Sequence, residues 1–565
     1  MSFRRACAAL AAAALLLSGC ASIPKDGSVG HRDVSGEDQH VQSRIDPDGP
    51  EPGQSPNEIV RGFLAAGAGY SNNFEVARSY LTDSFAGEWN PLSSVTVLQP
   101  GRTLESVTSE VTTDSQSVSL TIPVGGQLDD RRVYRAASRG TQIDMEFSLR
   151  QVNGEWRISQ APSGMVLTAV NFSTLFQPYP LYFYAPGYEM LVPDTRWFIR
   201  SPATATEIMT ELLGGPAEYL TGAVVSAIPD GTQLDPRSVA VSDGVARVEL
   251  SSTDSGLDER TNGRIAAQIE TTLKEVGSIT SAQVSGASGE LDYGSLPDVP
   301  TSLNISGSPI AISEGRLVRI LGSTIEPIAN APELADGASR PAIAIDESMY
   351  AYLADDAKAV RRLFADELED NEVLRGEKYA SLSFDTEGWL WAAEEASDGT
   401  IQAISRNGEL TEVSVPFLKG RTVTSIAVSP DGTRLAVLST DKDDVNRLEI
   451  VGISRDPQRA PTSSSTSTPL EVATSFDTII DASWSGYDSL VMLARDGSGE
   501  PEPYALRVPG PATSLGSIDG GTQITSGEET RSVRIGTADG EIYSYGAGSW
   551  QKLVDAKTYD PSAPG

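Results

Sequence analysis

The sequence predicts a multidomain protein in which an α+β domain, a second α/β domain and an all-β propeller of five to seven blades follow one another. Apolar residues at helical spacing come first, followed by stretches in which apolar and polar residues alternate, as in strands. An Asp-Gly hairpin and a further helix come next. Strand pairs then recur at roughly 40 to 55 residues, the period of propeller blades. The length of 565 residues leaves room for about three or four domains.

The first residues have the order of a secretory signal. Arg4 and Arg5 are followed by an Ala- and Leu-rich run, residues 6–17, and then by small residues. This run of about a dozen residues is shorter than the roughly 20 that cross a bilayer as a helix. We therefore predict a signal peptide at residues 1–19.

The tetrad Leu17-Ser18-Gly19-Cys20 resembles the lipobox of bacterial lipoproteins. The resemblance implies that the Cys20 thiol receives a diacylglyceryl group, that cleavage occurs before Cys20, and that the new amino group is acylated. Two or three acyl chains hold a protein firmly, because each buried methylene contributes about 0.8 kcal/mol. We expect a lipid-anchored protein at the extracytoplasmic side of the cell membrane. An ordinary signal peptide with a chance cysteine, or an uncleaved anchor, is the alternative.

Cysteine content and charge limit the chemistry further. Of the 2 cysteines, Cys7 leaves with the signal and Cys20 is consumed by lipid, so no disulfide or thiolate zinc site is expected. Loss of Arg4 and Arg5 reduces the 43 basic side chains to 41 against 77 acidic ones, a net charge of −36. Such a charge repels nucleic acid and anionic lipid head groups. We expect no nucleic-acid partner, and membrane contact only through the acyl chains.

Histidine is confined to one polar segment. His31 and His40 lie within residues 20–55, which are rich in Gly, Pro, Ser and Asp and are interpreted as the lipidated cysteine and a disordered tether. A Ser-His-Asp triad or a histidine metal site in the folded domains is thereby excluded. No P-loop or Gly-x-Ser-x-Gly elbow appears. We predict no catalytic residue, no cofactor and no metal, and a protein that is not an enzyme.

Residues 56–178 predict the α+β domain. Ser55 and Pro56 stand at a helix start, and a second helix is predicted over 73–81. Strands are predicted over 93–98, 117–124, 143–152 and 156–160, with a hairpin at Gly154. This order is similar to the cone-shaped fold of nuclear transport factor 2, which often holds a ligand. A cone filled by its own side chains is the alternative.

Residues 179–300 predict the α/β domain, with hairpins around Pro186-Gly187 and Asp243-Gly244 and helices over 204–213 and 262–276. The motifs of this segment, in order, resemble the GerMN domain of spore-germination and envelope proteins. They are Tyr182-Phe183-Tyr184, Val192-Pro193, Leu212-Leu213-Gly214-Gly215-Pro216, Ser226-Ala227-Ile228-Pro229-Asp230-Gly231-Thr232 and Val245-Ala246-Arg247-Val248-Glu249-Leu250-Ser251. The resemblance implies a small extracytoplasmic module with no established chemistry.

Residues 301–556 predict the propeller, and residues 557–565 a disordered tail. The clearest strand-turn-strand copy surrounds Ser429-Pro430-Asp431-Gly432, a turn that resembles those of TolB-like and WD-type propellers. Because one blade cannot bury both faces of its sheet, several blades must close into a ring. An open β-sandwich is the alternative. The Ser/Thr/Pro-rich residues 460–469 are interpreted as a solvated loop.

Side chains of the propeller offer some candidates for chemistry. The pairs Asp355-Asp356, Glu394-Glu395 and Asp443-Asp444 could serve calcium binding or glycosidase-type hydrolysis, although solvated turns explain them more simply. Trp389, Trp391 and Trp484 fall on predicted strands. We interpret them as core between blades and not as a platform for sugars.

The order of lipobox, acidic tether, α+β domain, GerMN module and propeller resembles the LpqB lipoprotein family of actinobacteria over nearly the full length. The run Leu167-Thr168-Ala169-Val170-Asn171-Phe172 adds to the match. The resemblance implies an envelope protein that contacts the extracytoplasmic domain of the sensor kinase MtrB and tunes a two-component pathway of cell-wall homeostasis and division. Two alternatives stay open: a propeller that binds or cleaves cell-wall carbohydrate, and a passive envelope scaffold.

Overall fold

The computed structural model describes residues 47–565 except positions 113–115, 252–256, 288, 304, 306, 368, 498, 529–531 and 555–556. The predicted signal peptide, the lipobox residues Leu17, Ser18, Gly19 and Cys20, both histidines and most of the predicted tether lie outside the described residues. None of the helices in the described part of the chain combines the length and apolar composition that crossing a membrane requires.

The N-terminal domain packs short helices against a mixed sheet. Its sheet has the strand order β6-β5-β3-β1-β7, and β2 and β4 also pair with β3. The elements are α1 Pro56–Ala66, α2 Ser71–Ser79, α3 Asp83–Glu88, β1 Val95–Leu98, β2 Thr108–Val111, β3 Ser117–Leu128, β4 Tyr134–Ala136, β5 Gln142–Val152, β6 Glu155–Gln160, β7 Met165–Leu167 and α4 Ala169–Leu175.

Local chemistry explains where these elements begin. Ser55 caps α1 as predicted: its hydroxyl accepts from the Glu58 N–H at 3.4 Å, and the Glu58 carboxylate accepts from the Ser55 N–H at 2.7 Å. Along β3, Val118, Leu120 and Ile122 are buried while the residues between them are partly exposed. The alternation therefore places one face of β3 on the core.

The second helix differs from its predicted range of 73–81. It spans Ser71–Ser79, and Asn72, Asn73 and Phe74 within it have positive φ angles. Leu81 instead forms a parallel bridge with Ile158 of β6. Tertiary pairing of Leu81 with the sheet thus outweighs its fit to the helical stripe.

The second domain combines a long hairpin with a four-stranded sheet of order β10-β11-β12-β13. Its helix over 204–213 has the predicted bounds, whereas the long hairpin extends well beyond the predicted turn. The elements are β8 Phe176–Tyr184, β9 Leu191–Ile199, α5 Thr204–Leu213, β10 Ala240–Ser242, β11 Val245–Glu249, α6 Glu259–Lys274, β12 Ser281–Gly286 and β13 Gly289–Glu290.

One buried amide of α6 fixes the motifs around it. Gln268 has no exposed surface; its Oε1 accepts from the Ala227 N–H at 2.8 Å, and its Nε2 donates to the Tyr182 carbonyl at 3.0 Å. Since buried polar groups must be paired, Gln268 holds α6 against β8 and against the turn that starts at Ser226.

The third part is a propeller of six blades in the described part of the chain, within the predicted range of five to seven. The first blade comprises β38, β14, β15 and β16, and the second β17 to β20. The third comprises β21 to β24 and the fourth β25 to β27 with β29, and these two share one sheet through β28. The fifth comprises β30 to β33 and the sixth β34 to β37.

The strands of the six blades are β14 Ile310–Ser313, β15 Arg316–Leu321, β16 Thr324–Pro327, β17 Ser339–Ile343, β18 Met349–Ala354, β19 Ala359–Phe364, β20 Asn371–Arg375, β21 Tyr379–Phe384, β22 Leu390–Glu394, β23 Thr400–Ile404, β24 Leu410–Ser414, β25 Thr422–Val428, β26 Arg434–Thr440, β27 Asn446–Arg455, β28 Pro461–Ser464, β29 Leu470–Val472, β30 Thr478–Trp484, β31 Ser489–Arg495, β32 Glu502–Arg507, β33 Ala512–Ser514, β34 Gly521–Thr525, β35 Arg534–Thr537, β36 Ile542–Gly546, β37 Ser549–Val554 and β38 Thr558–Ser562.

The prediction of a disordered tail at 557–565 is wrong. Thr558–Ser562 forms β38, which pairs antiparallel with β14 and contacts β17 and β34 of the neighbouring blades. Thr558 and Ala563 are buried. The pairing satisfies the open edge of β14, a long-range gain that the short polar composition of the segment does not reveal. This strand closes the ring.

The interpretation of residues 460–469 as a solvated loop is also wrong in part. Pro461–Ser464 forms β28, which pairs with both β27 and β24, and Leu470–Val472 forms β29. Between them, the Ser465 hydroxyl donates to the Tyr219 carbonyl of the second domain at 3.4 Å. Backbone pairing and this contact order a segment whose composition is typical of loops.

Candidate functional site

Strand β9 carries two fully buried charged side chains. All nine of its residues are buried, and the side chains of Asp194 and Arg196 have no exposed surface. Arg196 donates from Nε and Nη2 to the two Asp194 oxygens at 3.0 and 2.6 Å. Asp194 Oδ2 also accepts from the Ala217 N–H at 2.8 Å, and Arg196 Nη1 donates to the Arg131 carbonyl at 2.7 Å. These additional hydrogen bonds offset the desolvation that burial of an ion pair costs.

A second buried pair lies in the propeller, at the turn between β25 and β26. The Asp431 carboxylate and the Arg434 guanidinium are both fully buried and form an ion pair. Burial raises the pKa of Asp431, but Arg434 and the hydroxyl groups of Thr433 and Ser429 more than offset this and hold that pKa below its ordinary value. The turn predicted at Ser429-Pro430-Asp431-Gly432 is therefore present, and it also supplies a buried charge.

Arg434 connects the two domains. Its Nη1 donates to the Pro193 carbonyl of β9 at 3.3 Å, and its Nη2 donates to the Tyr487 carbonyl of the fifth blade. Its guanidinium carbon lies 4.8 Å from the ring centroid of Trp484, which is within cation-π range. We call the four residues Asp194, Arg196, Asp431 and Arg434 the joint.

Apolar packing surrounds the joint. One continuous cluster of buried side chains runs from the second domain into the fourth and fifth blades, and it includes Phe198, Met209, Tyr219, Leu220, Leu438, Ile450, Trp484 and Leu490. At Gly452 a Cβ atom would lie 2.5 Å from the Ala223 Cβ, so only glycine permits this close approach. The shared core and the buried hydrogen bond from Arg434 to Pro193 pack the second domain closely against the propeller.

The N-terminal domain is attached to the same body. Trp197 of β9 donates from Nε1 to the Pro509 carbonyl of the propeller at 2.8 Å, and its ring packs on Phe172 of α4 with centroids 5.1 Å apart. Arg131 forms an ion pair with Glu211 of α5 at 3.0 Å. Strand β9 thus contacts all three domains.

The channel of the propeller is small and its lining is mainly polar. It has a volume of about 100 Å³, and the innermost strands contribute Ser381, Ser383, Ser425, Ser483 and Thr525. The acids at its wall are Asp481 and Asp560, and both contact Arg340, Asp481 through the guanidinium at 3.8 Å and Asp560 through the backbone N–H at 2.8 Å.

Asp481, in the wall of this channel, makes the stability of the fold depend on pH. Burial raises its pKa, and Arg340 offsets this only in part. A carboxyl with a raised folded-state pKa stabilises the fold below its unfolded pKa, and this stabilisation is lost as pH rises through the folded value. The Asp481 carboxylate accepts from the Ser425 hydroxyl and from the Ile524 N–H. An uncharged amide in its place could donate to the hydroxyl and accept from the N–H, so both hydrogen bonds would remain without the charge.

We therefore expect Asp481→Asn to have the same thermal midpoint as the wild type near pH 4 and a higher one near pH 7. Differential scanning calorimetry across this range measures the difference. Asp560→Asn serves as the matched control, because Asp560 lines the same channel but is only half-buried, whereas Asp481 is buried. If the difference in thermal midpoint between Asp481→Asn and the wild type stays constant with pH, Asp481 is not the titrating group.

The acid pairs singled out in the sequence do not meet at one site. None of them lines the channel. Asp355, Asp356 and Asp444 have positive φ angles in turns between strands, and Glu395 pairs with Lys378 at 2.6 Å at the surface. Within the described ranges, no three His, Cys, Asp or Glu side chains gather closely enough to hold a metal ion. Turns, the simpler interpretation, are confirmed for the aspartates.

The three tryptophans singled out in the sequence are core residues, as predicted. Trp389, Trp391 and Trp484 are all buried. Trp391 donates to the Asp385 carboxylate at 2.9 Å, and Trp484 donates to the Ala427 carbonyl at 3.0 Å. The indole N–H groups of these two tryptophans are thus satisfied within the fold.

Sequence reasoning missed Asp194 and Arg196. The available signal was an aspartate and an arginine two residues apart inside the otherwise apolar run from Leu191 to Ile199. Two residues apart on a strand place both side chains on one face. Their burial could not be inferred, because it depends on the partners Ala217 and Arg131 from distant parts of the chain.

Comparisons with known families follow the same division of the chain. Residues 49–173 match the model described as the N-terminal domain of lipoprotein LpqB, and residues 315–564 match that of the lipoprotein LpqB beta-propeller domain. Residues 180–290 match the Germane model, described as sporulation and spore germination.

Full-length relatives agree with these matches. Lipoprotein LpqB of Thermobifida fusca is 28% identical over 90% of both chains. Lipoprotein LpqB of Streptomyces avermitilis is 27% identical over 98% of this chain and 97% of that one. Among solved structures, TolB from Acinetobacter baumannii is similar over 56% of this chain and 75% of that chain, at 13% identity and a TM-score of 0.36, too low to support an inference about function.

Proposed function

We propose that this chain, a member of the LpqB lipoprotein family, is a regulator. In this proposal, acyl chains on Cys20 hold it at the extracytoplasmic face of the membrane. The family supports an extracytoplasmic lipoprotein with a propeller domain. The finer proposal is that it contacts the extracytoplasmic domain of a sensor histidine kinase similar to MtrB. Through this contact it would tune a two-component pathway of cell-wall homeostasis and division.

The joint is the observation that carries this proposal. Because a buried hydrogen bond from Arg434 to Pro193 and one hydrophobic core join β9 to the propeller, the second domain and the blades present a surface of fixed shape. A preorganised surface loses little conformational entropy when a partner binds. Such a body suits recognition of a folded domain, and we propose binding and not catalysis as its role.

The two alternatives receive less support. Hydrolysis of a glycan requires two acids that flank the bond, about 5 to 10 Å apart, whereas the acids of the channel are both engaged by Arg340. A passive scaffold needs no preorganised joint between domains. Neither is favoured by a specific observation on the described residues.

A binding measurement tests the proposal. The unit Ile45–Gly565 has its own hydrophobic cores, so a soluble chain of these residues can be titrated with the purified extracytoplasmic domain of the kinase. We expect saturable binding, and a changed rate of autophosphorylation when the full kinase is placed in vesicles. The extracytoplasmic domain of an unrelated kinase is the control. Equal affinity for the two kinase domains, or no binding to either of them, would contradict the proposal.

A further inference from the structure

An apolar cleft lies between the N-terminal domain and the propeller, away from the joint. Its volume is about 680 Å³, within the range of roughly 300 to 1,000 Å³ that is typical of small-molecule sites. One wall comes from β1, β4, α4 and β9, and the other from the segment before β30 and from the turn between β32 and β33. The inference drawn from this cleft goes beyond the proposed contact with a kinase and does not depend on it.

Aromatic rings form both walls of the cleft. On one side, the Phe172 ring packs against both Tyr134 and Trp197, with ring centroids 5.6 and 5.1 Å away. On the other side, the rings of Phe476 and Tyr504 lie 4.5 Å apart. The Trp197 N–H is already bonded to the Pro509 carbonyl. Such walls offer a large apolar contact and few hydrogen bonds, which disfavours a sugar and favours a hydrocarbon.

Polar side chains in the lining include Tyr134, which is 5% exposed, and burial alone raises its pKa to about 12. Its hydroxyl has no hydrogen-bond partner within the part of the chain that the structure describes. Gly126 leaves room for this hydroxyl, since a Cβ there would lie 2.1 Å from its oxygen.

Two arginines line the cleft, and they differ in their partners. Arg139 is paired with Asp477 and Asp496, each at 2.5 Å. The Arg102 guanidinium has neither an ion pair nor a hydrogen bond among the described residues. The net charge of the chain, −34, repels anions at long range, but an unpaired cation beside an apolar cleft attracts an anionic group at short range.

We propose that this cleft binds a single fatty-acyl chain that ends in an anionic group. The chain lies between the two aromatic walls, and the anionic end lies at Arg102. The ligand would be a free fatty acid or the acyl chain of an anionic membrane lipid. Because its walls come from the N-terminal domain, from β9 of the second domain and from the propeller, the occupied cleft also fastens the N-terminal domain to the propeller.

A calorimetric titration of the soluble unit Ile45–Gly565 with oleate tests this site. We expect saturable binding of one oleate per chain. Ser173 of α4 lines the cleft and is exposed, so Ser173→Trp should fill the entrance and weaken binding at least tenfold. Val170 of the same helix is 72% exposed and does not line the cleft, which makes Val170→Trp the matched control. Near-ultraviolet circular dichroism checks the fold, and Ala512→Trp on the opposite wall replaces Ser173→Trp if that variant misfolds.

The anionic end is tested by a second pair of variants. Arg102→Glu should weaken oleate binding severalfold, whereas Arg316→Glu, at an exposed position outside the cleft, should not. Vesicles of phosphatidylglycerol distinguish the two sources of the ligand: transfer of a lipid to the wild type but not to Ser173→Trp identifies a membrane lipid, and binding of oleate alone identifies a free fatty acid. The absence of saturable oleate binding, or equal affinities of the two tryptophan variants, would overturn the proposal.

Discussion

Replacement of Cys20 by serine is expected to leave the signal peptide uncleaved and to lower the share of the protein in the membrane fraction, because the retained apolar run of residues 6–17 is too short to span a bilayer. The resemblance of Leu17-Ser18-Gly19-Cys20 to a lipobox implies a thioether between the Cys20 sulfur and a diacylglyceryl group. A serine hydroxyl cannot form this thioether. Without acyl chains, the strongly acidic chain has no attraction for an anionic bilayer. Fractionation of cells and mass spectrometry of the isolated protein measure both effects.

The chain offers a matched control for this variant in Cys7, its other cysteine. Cys7 lies in the apolar run of the predicted signal and outside the tetrad, so Cys7→Ser should be processed and anchored like the wild type. Retention of Cys20→Ser in the membrane at wild-type level would show that an uncleaved apolar segment, and not lipid, is the anchor.

Arg434→Ala is expected to lower the free energy of unfolding by about 3 to 5 kcal/mol, the range found when one partner of a buried ion pair is removed. The change leaves the Asp431 carboxylate fully buried without its cation and removes the hydrogen bonds to the Pro193 and Tyr487 carbonyls. Urea denaturation, followed by tryptophan fluorescence, measures the effect through Trp484, whose ring contacts Arg434.

Two controls separate the charge from the packing. In the double variant Asp431→Asn with Arg434→Ala both charges are absent while the side chain at position 434 is the same as in the single variant, so much of the loss should be recovered. Arg375 forms ion pairs at the surface, where such pairs contribute little, and Arg375→Ala should leave the unfolding midpoint nearly unchanged. A double variant as unstable as Arg434→Ala would mean that side-chain packing, and not the buried charge, stabilises the joint.

The sequence predicts elements well where local chemistry decides their limits. The helix Thr204–Leu213 has the bounds expected from its stripe of Ile208, Met209 and Leu212 and from the glycines after it. The repeated strand pairs and the Ser429 to Gly432 turn likewise indicate a propeller from the alternation and turn residues alone. In each case the residues that fix the element are neighbours in the chain.

Predictions fail where partners lie far apart in the sequence. Strand β38, at the end of the chain, forms because its backbone pairs with β14, the first strand of the propeller in the sequence. The joint and the cleft are equally non-local: Arg434 meets Pro193, and Phe172 faces the wall that contains Phe476. Neither composition nor periodicity reports contacts of this kind. The order of the domains could be predicted, but the surfaces between them could not.

The most direct test of a lipid-anchored protein that contacts a sensor kinase is crosslinking in intact cells. A photoreactive amino acid at exposed positions of the propeller, such as Leu410, would be activated by light, and the attached proteins identified by mass spectrometry. We predict recovery of the extracytoplasmic domain of the kinase, and loss of that product in Cys20→Ser. A correctly anchored protein that captures only other envelope components from every exposed face would contradict the proposed function.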